Sequence, residues 1–219
     1  MKLLFLVGSI LFCSFIGHSQ ETFNSIDSAL LYPKDVDSLF FDEHLFTEFP
    51  NVDSMVNLKS IHLKYCSNYS DVFLKLSKLP LLSELWITDV EMDELSLSIG
   101  LLTNLKILRL TECRLKNLPD TLKSLTKLEE LSLVNNLLRE IPLVISELPN
   151  LVRLNFKKNK IKSFSANFGK NLTHLNLSHN RLESLPKGVV VNNKLMYLDI
   201  TDNNLKSACL VGLDLPKLK

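Results

Sequence analysis

The sequence predicts an α/β-type repeat solenoid: about eight parallel strands on a concave face, joined by extended and 3-10 segments on the convex side. Three observations carry this prediction. Apolar residues recur with a period near 23, each period opens on an L-x-x-L-x-L alternation, and asparagine and then proline recur at fixed offsets behind it. A fixed period of roughly 20 to 50 residues marks an array whose units bury their apolar faces only against one another. Units open at Val36, Leu58, Leu82, Leu105, Leu128, Leu151, Leu172 and Leu195, with spacings of 22, 24, 23, 23, 23, 21 and 23.

Residues 1–19 precede the array and have a different character. Lys2 is followed by an apolar run from Leu3 to Ile16 and by Gly17-His18-Ser19, the order expected of a secretory signal peptide cleaved near Ser19. The run is too short for a membrane anchor, and bulky Phe12 disfavours lipidation at Cys13. Without Lys2 the chain holds 24 Lys+Arg against 24 Asp+Glu, a balance that does not suggest nucleic acid as a partner. No second apolar run is long enough to span a membrane. Residues 20–35 read as a short helical cap stopped at Pro33.

Within each unit the L-x-x-L-x-L segment alternates with period two, so it is a strand with one buried and one solvated face. About 15 residues separate successive strands, which makes them parallel and joined by right-handed crossovers. The ninth position reads His44, Cys66, Val90, Cys113, Asn136, Asn159, Asn180 and Asn203. Asparagine there can bond backbone groups buried at the bend; Cys and Val are expected to fill the space without those bonds, leaving the first three units less regular. Pro50, Pro119, Pro142 and Pro186 at the fifteenth position suit an extended outer segment. Ile99, Leu122, Ile145, Phe168 and Val189 at the eighteenth point back into the core. Cys66, Cys113 and Cys209 form an odd, scattered set and read as core thiols, since two units separate Cys66 from Cys113.

Residues 36–218 resemble the leucine-rich repeat family, in the class LxxLxLxxNxLxxLPxx(I/L)xxLxx, tightly from Leu105 to Leu205 and loosely before Leu82. Ala29-Leu30 through Pro33, Val36 and Leu39 look like the single-helix cap of secreted bacterial members. The resemblance implies a leucine-rich repeat horseshoe acting as a protein-interaction scaffold. Leu215-Pro216-Lys217-Leu218 repeats Leu148-Pro149-Asn150-Leu151, the lead-in to a unit that does not follow, so the last strand, near Tyr197–Thr201, is expected to be an open edge.

No catalytic, cofactor or metal motif is present in the sequence: no G-x-S-x-G, no phosphate loop, and no histidine in a metal-binding spacing. Glu84, Asp89, Glu112, Glu129 and Glu130 read as a solvated acidic face, and His174 with His179 as polar strand residues. The sequons at Asn68, Asn171 and Asn176 carry little information, because the last arises from the repeat consensus itself. The reading is therefore a secreted, non-enzymatic recognition module for a protein or peptide ligand. The alternative is a recognition or regulatory arm of a larger enzyme or surface-anchored protein.

The ligand site is expected where the solvent-facing position between the two buried leucines carries unusual residues. That column reads Phe40, His62, Trp86, Arg109, Ser132, Asn155, Asn176 and Asp199. Phe40, His62, Trp86 and Arg109, with Tyr65 one turn away, are residue types that dominate interface energetics. The competing placement folds these aromatics back over a weak N-terminal core.

Overall fold

The computed structural model describes residues 10–15, 29–42, 49–66, 72–163, 168–185 and 194–206. Ser19, most of the expected N-terminal cap, His44, Pro186, Val189 and Cys209 lie outside the described residues. Among the described residues one nine-stranded sheet runs in sequence order. Its strands are β1 (Ile10–Phe15), β2 (Val36–Asp42), β3 (Ser60–Lys64), β4 (Glu84–Thr88), β5 (Ile107–Thr111), β6 (Glu130–Ser132), β7 (Arg153–Asn155), β8 (His174–Asn176) and β9 (Tyr197–Asp199). From β2 to β9 every pairing is parallel, and equivalent residues stand in register: Leu39, Ile61, Leu85, Leu108, Leu131, Leu154, Leu175 and Leu198 form one row. Those residues are 0–2% exposed, so the row is the spine of the core. Each expected unit contributes one strand at its expected phase.

The ninth strand is an addition. β1 runs antiparallel to β2, pairing Ile10 with Asp42 through Phe15 with Val36, within the apolar stretch expected to direct export. An unpaired β2 would present a row of free N–H and C=O groups, and a β-prone apolar segment satisfies them.

The expected irregularity of the first units falls on the convex side and spares the sheet. The unit opening at Leu58 carries a short α-helix, α1 (Val72–Leu76), where later units have 3-10 turns at Leu97–Leu101, Asp120–Ser124 and Leu143–Glu147. The N-terminal strands are the longer ones, with seven residues in β2 and five each in β3 to β5, shortening to three from β6 onward, where asparagine takes over the ninth position.

The asparagine column works as a ladder. Asn136 Oδ1 accepts from the N–H groups of Cys113 and Leu115, both at 3.1 Å, while its Nδ2 donates to Leu110 O at 2.8 Å and Val134 O at 3.2 Å. Asn159, Asn180 and Asn203 repeat the pattern through Leu138 N, Ile161 N and Leu182 N. Cysteine does more than fill space here, contrary to the expectation. Cys113 Sγ donates to Ile87 O at 3.5 Å and Thr111 O at 3.3 Å, the carbonyls equivalent to those Asn136 serves, and Cys66 does likewise with Phe41 O and Lys64 O. The thiol thus reproduces the donor half of the asparagine contacts and lacks the acceptor half. Burial pushes the Cys113 thiol up to about 12, so it is inert as a nucleophile.

One regularity had no counterpart in the sequence. The eighth position of seven units, Tyr65, Asp89, Glu112, Asn135, Lys158, His179 and Asp202, is left-handed, with φ between 50 and 59°. The first six donate their N–H to a carbonyl of the next unit at 2.9–3.1 Å, for example Glu112 N to Val134 O. This ladder holds the rim of the concave face against the local cost of a left-handed non-glycine residue, about 1–2 kcal/mol each.

Candidate interaction surface on the concave face

The fifth residue of each unit lies between two buried ones, so the pleat turns it to the concave side, and parallel register sets it beside its counterparts. Phe40 pairs with His62, His62 with Trp86, and Trp86 with Arg109. Their side chains form one continuous stack. The Phe40 and His62 rings are 4.6 Å apart at 42°, His62 meets Trp86 edge-on at 5.6 Å, and the Arg109 guanidinium lies 4.7 Å from the Trp86 ring centre. All four are half-buried, by one another, on the outer face. They do not fold into the core, whose place beneath them is taken by Leu39, Phe41, Ile61, Leu63, Leu85 and Ile87. Crowding leaves the Trp86 indole N–H buried without a partner.

Tyr65 stands at the rim, 47% exposed, with the Lys64 ammonium 4.6 Å from its ring centre and Lys64 paired to Asp42 at 3.3 Å. Its hydroxyl reaches Asp89, whose carboxyl titrates above its ordinary value because of desolvation and then the adjacent Glu112.

His62 has its titration pushed down to about 4, chiefly by burial, with Asp42 opposing and Lys64 assisting. Its Nε2 lies 3.1 Å from Thr88 Oγ1. An unfolded histidine titrates near 6.5, so between about 6.5 and 4 the unfolded chain binds the extra proton and stability falls as pH falls. Melting temperature should therefore drop as pH is lowered from 7 to 4.5, and His62→Gln should flatten that slope. Equal slopes in the two proteins would remove His62 as its source.

Arg109 also faces Glu130, its Nε and a terminal nitrogen each 2.7 Å from one carboxylate oxygen, while Arg153 Nε binds the other oxygen at 2.9 Å. Burial alone would raise the Glu130 carboxyl, but bonds from Arg153 and Arg109 hold it below its ordinary value. Glu130, read from the sequence as part of an acidic face, is thus a clamp between two arginines; Asp89 and Glu112 remain at the rim, and Glu84 on the concave face of β4.

Residues 171–190 match the family model for the Leucine Rich Repeat. A leucine-rich repeat protein of Leptospira interrogans superposes with a TM-score of 0.73 at 28% identity, over 86% of this chain and 48% of that one. The chain is a leucine-rich repeat protein. It spans about half the length of the Leptospira relative, 48%. Internalin C2 of Listeria monocytogenes shares the fold at 18% identity and a TM-score of 0.65, over 85% of this chain and 81% of that one. TLR13, solved as a complex with ssRNA13, shares it at 21% and 0.67, over 88% of this chain and 30% of that one. No curated protein matches the chain in sequence. Leucine-rich repeat proteins are generally non-enzymatic recognition modules.

This leucine-rich repeat protein carries a second set of concave residues that the sequence reading missed. The third position of each unit shares a face with the fifth, and from β6 onward it holds Glu130, Arg153, His174 and Tyr197. His174 and Tyr197 stack at 5.9 Å and 24°, and with Arg109, Glu130 and Arg153 they line a shallow hollow of about 380 Å³. The signal is a second column at the third position, whereas the fifth position alone reads small and polar in this half. Among the described residues no group of three His, Cys, Asp or Glu is placed to hold a metal, and no helix is long and apolar enough to cross a membrane.

Proposed function

We propose that the chain is exported and acts as a non-enzymatic recognition module, holding a protein or peptide against Phe40, His62, Trp86 and Arg109, with Tyr65 at the rim. The observation that carries this reading is the stack itself. Strand positions facing water normally hold small polar residues, whereas here four neighbouring strands present joined rings and a guanidinium. Glu84 on the concave face, with Asp89 and Glu112 at the rim, favours a partner with basic groups around an apolar anchor, whose association salt slows. Export rests on the order of charge, apolar run and small residues in 1–19; cleavage near Ser19 removes β1 and frees the edge of β2, and an exported protein whose N-terminus is Met1 would contradict it.

The test uses residues 20–219 as bait in the native extracellular fraction, followed by titration of the captured protein. Trp86 is the single tryptophan, so its fluorescence reports occupancy of the stack directly. Trp86→Ala and Arg109→Ala should each weaken binding by about 2 kcal/mol or more, followed then by a label on the ligand, while Asn176→Ala should do little. Damage from Asn176→Ala with none from Trp86→Ala would move the site to the C-terminal half.

A further inference from the structure

The flank beyond the asparagine column is a second, smaller ladder. Lys116 N donates to Asp93 O, Leu137 N to Leu115 O, Lys160 N to Leu138 O, and Arg181 N to Ile161 O, at 2.8–3.3 Å, and Glu140 bridges to Ser163. Leu115, Leu138, Ile161 and Leu182, at the eleventh position, are 0% exposed, so the tenth and twelfth positions project outward. In the four units opening at Leu105, Leu128, Leu151 and Leu172, six of those eight positions are cations: Arg114, Lys116, Arg139, Lys160, Lys162 and Arg181. The other two are Leu137 and Glu183. In a chain whose charges nearly cancel, 25 Lys+Arg against 24 Asp+Glu, this is segregation.

The preceding unit neutralises only the near edge, where Arg114 meets Glu91 at 2.8 Å and Lys116 meets Asp93 at 3.1 Å. Among the described residues, Arg139, Lys160, Lys162 and Arg181 make no ion pair. Lys116, Arg139 and Lys160 surround a hollow of about 490 Å³ that also includes Asn117, Glu140 and half-buried Leu137.

We propose that this flank docks an acidic polypeptide segment, its carboxylates on Arg139 and Lys160 and an apolar side chain against Leu137. The apolar floor inside a cationic rim is what selects a peptide over a uniformly charged polymer, which has nothing to set on leucine. The hydrogen-bonded backbone beneath fixes the spacing of the positions that carry the cations, so little backbone freedom is lost on binding. This surface is separate from the concave stack and prefers the opposite charge, and it stands whether or not that stack binds a ligand.

The test is fluorescence polarisation of the full chain with a labelled peptide of glutamates flanking two leucines. Wild type should bind it, more weakly as salt rises, and Arg139→Glu/Lys160→Glu should lower affinity at least about tenfold. Leu137→Ser should cause a smaller loss, and Trp86→Ala none. All these positions are exposed or half-buried, and the milder Arg139→Ser/Lys160→Ser pair guards against a folding defect. No binding by wild type, unchanged binding in the charge-reversed protein, equal affinity for an all-glutamate peptide, or preference for a sulfated polysaccharide would each overturn the proposal.

Discussion

Leu131→Asp should unfold the middle of the solenoid. Leu131 is 0% exposed and lies in the core row between Leu108 and Leu154, so the substitution sets a carboxylate between two units that share a single core. Lost packing and an unpaired buried charge together should exceed about 4 kcal/mol, a large part of the stability of a domain this size. Asn155→Asp, in the next strand and half-buried on the concave side, keeps the acceptor that now bonds Lys157 N at 3.0 Å and should melt close to wild type. A Leu131→Asp protein melting within a degree or two of wild type would refute the strand register.

Asn136→Ala should cost about 3 kcal/mol without touching the apolar core. It strips the acceptor from the buried N–H groups of Cys113 and Leu115 and the donor from Leu110 O, and little room exists for water at a side chain 4% exposed. Asn136→Cys should fall between wild type and alanine, because Cys113 and Cys66 show that a thiol at this position reaches the equivalent carbonyls. Chemical denaturation of the three proteins gives the order directly. Indistinguishable cysteine and alanine variants would show that the thiol contacts contribute nothing.

The register was legible because apolar alternation names the buried face of every strand, and a slip of one residue would invert it. The first four members of the candidate stack followed from the same arithmetic, since a parallel array turns equal offsets into neighbours. Tyr65 was placed beside the stack and stands at its rim with Lys64 and Asp89. What remained hidden depends on side chains choosing partners across units. Glu130 was legible as an acid but not as the clamp of Arg109 and Arg153, because residues 21 and 23 positions apart in sequence carry no local mark of pairing. The left-handed column was hidden for the opposite reason: Tyr65, Glu112 and Lys158 have no common chemistry, and the ladder imposes the conformation on them. α1 replaces a 3-10 turn in a unit with 24 residues, where the extra length has no pattern of its own.

The asparagine ladder gives the molecule a direction. Asn136 serves the N–H groups of Cys113 and Leu115, Asn159 that of Leu138, Asn180 that of Ile161, and Asn203 that of Leu182, so each unit's buried amides are held by the unit that follows. Melting away the last unit orphans amides in the one before it, which then loosens the one before that. Melting away the first removes carbonyls instead, since Lys59 N loses Asp37 O and Cys66 Sγ loses Phe41 O. Fraying from the C-terminal end therefore exposes amides held by asparagine Oδ1, whereas fraying from the N-terminal end strips acceptors from the following unit's donors; in the first case amide exchange should spread through Leu182, Ile161, Leu138 and Leu115 in that order.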